Sequence, residues 1–245
     1  MDTTVAKGFA VLEVLARAKR PMRLSALTEA LGLQKSNVHR LLSTLIELGY
    51  VEKDAETSRY FASLKAWELG VAIISTNSLR RTVSPYLQKL HQQTQDTVLL
   101  AAPVGHEVLF LDRVAPARAL RYTPMNGTRA PMTLTAAGRV FLSAMSDPAP
   151  AIAKGLAEHP ADRDFSPESV LAELAEVRAS GLAVLDGGLL PGSRSVSAPI
   201  EGPDGAPVGA ISVSAMEGRM SGAHLREVSE ALLAISNEIG VLGDR

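Results

Sequence analysis

The sequence has no cysteine, which excludes a disulfide framework, a cysteine-ligated zinc site and a thiol nucleophile, and is compatible with the cytosol. It also lacks a hydrophobic run of bilayer length, the longest being of the order of Val98 to Val104, so no membrane span is expected. Met1-Asp2-Thr3-Thr4 carries no basic stretch leading into an apolar core, and no signal peptide is expected. Neither sign of charge dominates: 25 basic residues face 26 acidic ones, a net charge of -1. The molecule as a whole is therefore no polyelectrolyte binder, and any nucleic-acid surface must be local. What is present is a globular composition, 46% hydrophobic and 21% charged over 245 residues, enough for one large domain or two ordinary ones.

Residues 1–62 read as a separate unit. Val5, Phe9, Val11, Leu12 and Leu15 recur at helical spacing until Lys19-Arg20-Pro21 stops them. A second helix is expected over Ala26 to Leu31 with Ser25 as N-cap, closed by Gly32. After a short turn, a third runs from Lys35 to Leu48 and ends at Gly49. Helix, short Gly-containing turn, helix is the helix-turn-helix pattern. Within the third helix Val38, Leu41, Leu42 and Leu45 form the inward stripe. Ser36, Arg40 and Ser43 then point outward, with Asn37, His39 and Thr44 on the flanks. From Lys35 to Ile46 this helix has no acidic residue. Small hydrogen-bonding groups plus cations are what bind phosphate oxygens and base edges, whereas carboxylates would be repelled there; an ordinary solvent face lacking acids by chance is the alternative. Tyr50 to Lys53 and Arg59 to Phe61, joined by Asp54-Ala55-Glu56-Thr57-Ser58, read as a β-wing with Arg59 near its tip. Over residues 1–62 nine Lys/Arg oppose seven Asp/Glu, so non-specific affinity is expected to be modest and dimerisation to matter.

The run from Leu24-Ser25-Ala26-Leu27 through Lys35-Ser36-Asn37-Val38-His39-Arg40-Leu41-Leu42 to Leu48-Gly49-Tyr50-Val51 resembles the winged helix-turn-helix of IclR-type bacterial transcription regulators. Asn37 stands where that family usually has Thr, and Ser58 where its wing usually has Gly. The resemblance implies that Lys35, Ser36, Asn37, His39, Arg40, Ser43, Thr44 and Arg59 face double-stranded operator DNA.

Leu64, Trp67, Leu69, Val71, Ile73 and Ile74 make an apolar helical segment within 63–78. It either packs on its own domain or, as the resemblance implies, links and dimerises two reading heads on a pseudo-palindromic operator, as a homodimer or a dimer of dimers. Residues 79–245 read as α+β: a helix over Leu79 to Gln95, hairpins Val98–Pro103 with Val108–Val114 and Ser195–Ile200 with Val208–Ala215, helices at Ala136–Met145 and Pro167–Ala179, a strand Ala183–Leu185, and a last helix Ala223–Gly240. The resemblance extends to Gly127-Thr128-Arg129-Ala130-Pro131-Met132, Thr135-Ala136-Ala137-Gly138-Arg139 and Gly192 to Ile200, and implies a GAF-like or profilin-like antiparallel sheet with flanking helices.

Period-two geometry puts Ser212 and Ser214 on one face of their strand and Ile211 and Val213 on the other. Such a polar face is either wet or left small to make room for a ligand. Thr135 as N-cap would leave the N–H groups of Ala136 and Ala137 free to meet a carboxylate. In the resembling family, positions matching Ala136, Ala137, Asp186, Ser195, Ser212 and Ser214 line the effector pocket. Leu185-Asp186-Gly187-Gly188 replaces a run of four acids there, which leaves the register of Asp186 open by one residue and makes the pocket more apolar. Tyr122 and Met125 are expected to wall it, and Gly187 to Gly192 to form a loop over it. The implied effector is a small organic acid, aromatic or hydrophobic rather than a short oxo-acid.

The five histidines have no metal-ligand spacing, and no nucleophile elbow, Walker loop or dinucleotide fingerprint is present. No catalytic residue, metal or cofactor is expected. The reading is a ligand-responsive regulator, a repressor released by its effector. The alternative is a metabolite-binding or metabolite-processing module whose helix-turn-helix contacts protein.

Overall fold

The computed structural model describes residues 3–116, 124–158 and 165–241. The chain divides into two compact units, Met1–Thr76 and Asn77–Arg245.

In the first unit, helices α1 (Thr3–Arg17), α2 (Leu24–Leu31) and α3 (Lys35–Glu47) precede the hairpin β1 (Val51–Lys53) and β2 (Tyr60–Ala62), and α4 (Leu64–Ser75) follows. Val11, Leu15, Leu27, Val38, Leu41, Leu42, Val51 and Tyr60 form one core, drawn from every element before α4. α2 starts at Leu24, before the expected Ala26, and Arg23, with extended backbone, takes the N-cap place expected for Ser25 without any side-chain cap bond. Gly32 ends that helix in the left-handed region, where no Cβ penalty applies. The wing turn is shaped by Asp54, whose Oδ1 accepts from the Thr57 backbone N–H at 2.6 Å and from Thr57 Oγ1 at 2.7 Å. These bonds hold the Asp54 carboxyl below its usual pKa. Ser63 caps α4 by accepting from the Lys65 N–H, and Lys65 Nζ donates to the Leu48 carbonyl at 2.8 Å. Beyond that anchor α4 has no buried residue, and Leu64, Trp67, Leu69, Val71 and Ile73 are exposed.

The second unit is a six-stranded antiparallel sheet between two helical layers. Its elements are α5 (Ser78–Thr94), β3 (Thr97–Val104), β4 (Glu107–Val114), β5 (Arg129–Pro131), a 3-10 turn (Met132–Leu134), α6 (Ala136–Ala144), α7 (Ala149–Glu158), α8 (Pro167–Ser180), β6 (Ala183–Asp186), β7 (Ser193–Glu201), β8 (Pro207–Met216) and α9 (Gly222–Ile239). The strand order is β5-β4-β3-β8-β7-β6. The fold is α+β, as the pattern of hairpins and interspersed helices predicts. β5, the 3-10 turn and α7 were not expected from the sequence.

Alternation along the strands assigns the two faces. Val98, Val213 and Val196 lie in register, as do Leu100, Ile211 and Ala198, and their face packs against α5 and α9. The opposite face carries Ser195 opposite Ser214 and Ser197 opposite Ser212, and α6 lies across it. α6 sits directly on the preceding turn: a Cβ at Gly138 would meet the Met132 carbonyl oxygen at 2.1 Å, so only glycine permits this approach.

Candidate functional site

The outward face of α3 is open. Lys35, Ser36, His39, Arg40, Ser43 and Thr44 are exposed, Asn37 and Arg59 half-buried. Val38, Leu41 and Leu42 are buried on the other side, which fixes which face looks out. Arg40 Nη2 donates to Asn37 Oδ1 at 3.3 Å. Ser43 Oγ donates to the His39 carbonyl at 3.0 Å and Thr44 Oγ1 to the Arg40 carbonyl at 3.2 Å. Those two hydroxyl protons are thus engaged, and must rotate away before they can donate to a phosphate. Neither α2 nor α3 has a side-chain N-cap bond or an acid in its first turn. Both helix starts therefore offer free N–H groups and positive dipole ends, a feature the sequence reading missed because it gave α2 a serine cap.

The second site lies between the serine face and the start of α6. A cavity of about 50 Å³ is lined by Leu99, Phe110, Pro124, Leu134, Thr135, Ala136, Ala137, Leu185, Gly187, Leu189, Leu190, Ser193, Ser195, Ser212 and Ser214. Thr135 Oγ1 accepts from the Gly138 N–H at 2.9 Å. The N–H groups of Ala136 and Ala137 keep no hydrogen-bond partner among the described residues, and both residues line the cavity. Ser195 Oγ donates to Ser214 Oγ at 2.9 Å. Ser212 Oγ donates to Ser197 Oγ at 2.9 Å, and Ser197 passes its own proton to the Ile211 carbonyl at 3.1 Å. These are two separate relays; Ser214, the acceptor that ends the first, has its own proton left for a further partner, and it lines the same cavity as Ala136 and Ala137. Ser197, Ser212 and Ser214 are buried, so this face is not a wet surface.

Of the eight expected effector-site residues, the structure brings five together: Ala136, Ala137, Ser195, Ser212 and Ser214 line the cavity, and Asp186 does not. On β6 the inward position is Leu185, 3% exposed, whereas Asp186 points to the other side and is ion-paired with Arg194, whose Nη2 donates to Asp186 Oδ2 at 2.8 Å. The register is set by Leu185 facing Ser195 and Asp186 facing Arg194. Met125 is 65% exposed and lies outside the lining, with Pro124 in its stead. Tyr122 lies outside the described residues. Leu189 and Leu190 lie in the loop expected over the pocket; Leu99, Phe110 and Leu134 were not anticipated, and reach the cavity from three separate segments that no local pattern links.

A helix-turn-helix with an open acid-free face, followed by a unit with a buried serine-and-amide pocket, defines a ligand-sensing DNA-binding regulator. The comparisons narrow this to a family. Residues 4–55 match the IclR helix-turn-helix domain and residues 71–241 the bacterial transcriptional regulator IclR C-terminal domain. The chain belongs to the IclR family of transcriptional regulators, whose members are regulators and not enzymes. It is similar to the Pca regulon regulatory protein of Pseudomonas putida, 31% identical with 97% of this chain and 82% of that protein covered. The acetate operon repressor of Salmonella typhimurium is 26% identical, with 96% and 88% covered. Among solved structures, an IclR transcriptional regulator from Alicyclobacillus acidocaldarius matches with a TM-score of 0.80 at 25% identity, covering 98% of both chains. An IclR homologue from Microbacterium hydrocarbonoxydans complexed with 4-hydroxybenzoate has the same fold, with a TM-score of 0.79 at 20% identity over 96% of this chain and 97% of that one. The family implies DNA binding through the first unit and effector binding in the second. No helix among the described residues is long and apolar enough to cross a membrane.

Proposed function

We propose that the protein is a repressor that reads a pseudo-palindromic operator and is released by an apolar organic carboxylate. The observation that carries the DNA half is the exposed, acid-free strip from Lys35 to Thr44, on a helix whose start, like that of α2, has no side-chain cap. Arg40 and Asn37 address base edges in the major groove. Lys35, Ser36, His39, Ser43, Thr44 and Arg59 hold phosphates. Residues 1–62 form the reading head and 63–78 the linker. The exposed apolar side chains of α4, Leu64, Trp67 and Ile73 among them, are covered by a second copy of the chain, which sets the spacing of two recognition helices. Repression released by ligand needs no contact with polymerase, which favours it over activation.

In residues 79–245 the Ala136 and Ala137 N–H groups and the Ser214 hydroxyl receive the carboxylate, and Leu99, Phe110, Leu134 and Leu185 receive its apolar body. The ligand of the Microbacterium homologue, an aromatic carboxylate, is of this class. Effector binding acts by favouring one arrangement of the linked subunits over another. Electrophoretic mobility shift on the upstream region of the chain's own gene tests the DNA reading. A thermal-shift screen of aromatic and short-chain carboxylates tests the effector reading. Retarded duplex released by an aromatic acid is the expected result, and protein that retards no duplex refutes it.

A further inference from the structure

The pocket described above is nearly full of its own walls. Its free volume of about 50 Å³ compares with roughly 300 Å³ or more for a site that encloses a small molecule. Among the described residues, the lining outside strands and packed helical turns comes from Pro124 and from one longer segment. β3, β7 and β8 are central strands paired along both edges, and α6 is packed on the sheet and the 3-10 turn. Residues 187–192, between β6 and β7, form instead a surface strap whose Leu189 is 42% exposed while still lining the cavity.

The strap is built to hinge. Gly187, Gly188 and Gly192 have φ of +76°, +68° and +74°, a region glycine occupies without strain. Gly192 is anchored through its carbonyl, which accepts from the Glu217 N–H at 2.9 Å. At the other end Gly188 lies on the start of the pocket helix: a Cβ there would come within 2.5 Å of the Leu134 carbonyl oxygen. What holds the strap down is Ser193, a buried residue. Its Oγ lies 3.0 Å from the Gly187 carbonyl and 2.6 Å from the Leu190 carbonyl, the two acceptors of its single proton. Its backbone N–H donates to the Leu190 carbonyl at 3.2 Å and its own carbonyl accepts from the Gly187 N–H at 2.5 Å. Both halves of the strap thus converge on one residue.

We infer that residues 187–192 are the gate of the pocket and that Ser193 is its latch, a positioning residue that sets how fast a ligand reaches Ser214 and the α6 amides. The inference rests on the pocket reading of the preceding section. When the hydroxyl is removed, the backbone bonds alone hold Leu189 and Leu190 in the wall, and the strap opens more often about its glycine hinges.

The cysteine-free sequence allows a test that needs neither effector nor DNA. Ser214→Cys places the only thiol of the full-length chain in the pocket, and its modification by N-ethylmaleimide, followed by mass spectrometry, reports access. Adding Ser193→Ala is expected to speed labelling about two- to tenfold, the factor set by loss of one ordinary side-chain hydrogen bond. Ser193→Thr, which keeps the hydroxyl, is expected to leave the rate near that of Ser214→Cys alone. Gly188→Ala, which pushes the strap off Leu134 from its other end, is expected to match Ser193→Ala. Val213→Cys, fully buried on the opposite face of β8, is expected to label equally slowly with or without Ser193→Ala. Equal Ser214→Cys rates with and without the latch overturn the inference, as does a parallel rise at Val213→Cys, which reports loosening of the whole unit. Failure of the effector screen leaves these rates untouched, so the two readings fail separately.

Discussion

Arg40 donates to Asn37 across one turn of α3, Nη2 to Oδ1 at 3.3 Å, on the face turned away from the core. The bond ties up the acceptor of Asn37 and turns its amide donors outward, while it restrains a guanidinium that otherwise samples many rotamers. Arg40→Ala is expected to weaken operator binding by about 1–3 kcal/mol, the usual worth of one bidentate base contact. Asn37→Ala, which frees Arg40 without deleting it, is expected to cost discrimination more than affinity. Fluorescence anisotropy with operator and scrambled duplexes at several salt concentrations checks both. A scrambled-duplex affinity that falls as steeply as the operator's would show Arg40 to be a phosphate contact only.

How far the site was legible follows from the range of the signals. The α3 strip was readable because a helix reports its faces within eleven residues, and the stripe Val38, Leu41, Leu42 is buried as its spacing predicts. The serines of β7 and β8 were readable for the same reason at period two. β6 was harder. It has four residues, and either Leu185 or Asp186 satisfies alternation; only pairing of Leu185 with Ser195 decides that the leucine faces in. Leu99, Phe110 and Leu134 come from β3, β4 and the 3-10 turn, and their convergence is a tertiary fact with no trace in spacing. α7 was not expected; its Pro150 sits in the first helical turn, where proline is tolerated.

The serine pair supplies the second prediction. Ser212→Ala with Ser214→Ala removes two hydroxyls from the cavity lining, one of which donates to Ser197, while Ser197 keeps its bond to the Ile211 carbonyl. The double variant is expected to fold and to retard operator DNA as the parent does, and to lose the thermal shift produced by any carboxylate that stabilises the parent. A variant that still responds would remove these serines from the site.

Ser58 supplies the third. It sits in the wing at φ +53°, one of two non-glycine residues at positive φ among those described. A side chain in that region costs on the order of 1 kcal/mol relative to glycine. Ser58→Gly is therefore expected to raise stability by at most about 0.5 kcal/mol, the remainder being lost to the freer unfolded chain. Chemical denaturation of the isolated change in the full-length protein checks it, and unchanged or lower stability would mean that the Ser58 hydroxyl contributes what the strain removes.

The last prediction concerns a buried cation that hydrogen bonding does not serve. Arg139 on α6 is 1% exposed, and its Nε, Nη1 and Nη2 have no hydrogen-bond partner among the described residues. Its guanidinium lies 5.4 Å from the Phe165 ring centre and 3.4 Å from Glu173 Oε2 on α8. Burial lowers the Arg139 pKa and Glu173 partly restores it. Burial likewise raises the Glu173 carboxyl above its ordinary 4.5, and the nearby Arg139 offsets this only in part. A carboxyl raised in the folded state binds its proton more tightly there than in the unfolded chain. Its contribution to stability is full below pH 4.5 and is lost as pH rises through the raised value. Glu173→Gln stays neutral throughout, so its melting temperature is expected to gain on the parent's as pH rises from about 4.5 to 7. Arg139→Met combined with Glu173→Gln is expected to be neutral or stabilising by about 1–4 kcal/mol, toward the lower end because the Glu173 side chain is 36% exposed. Thermal unfolding of the three proteins across that pH range decides it. A Glu173→Gln protein that melts progressively below the parent as pH rises would show that attraction between the two charges outweighs the cost of burying them.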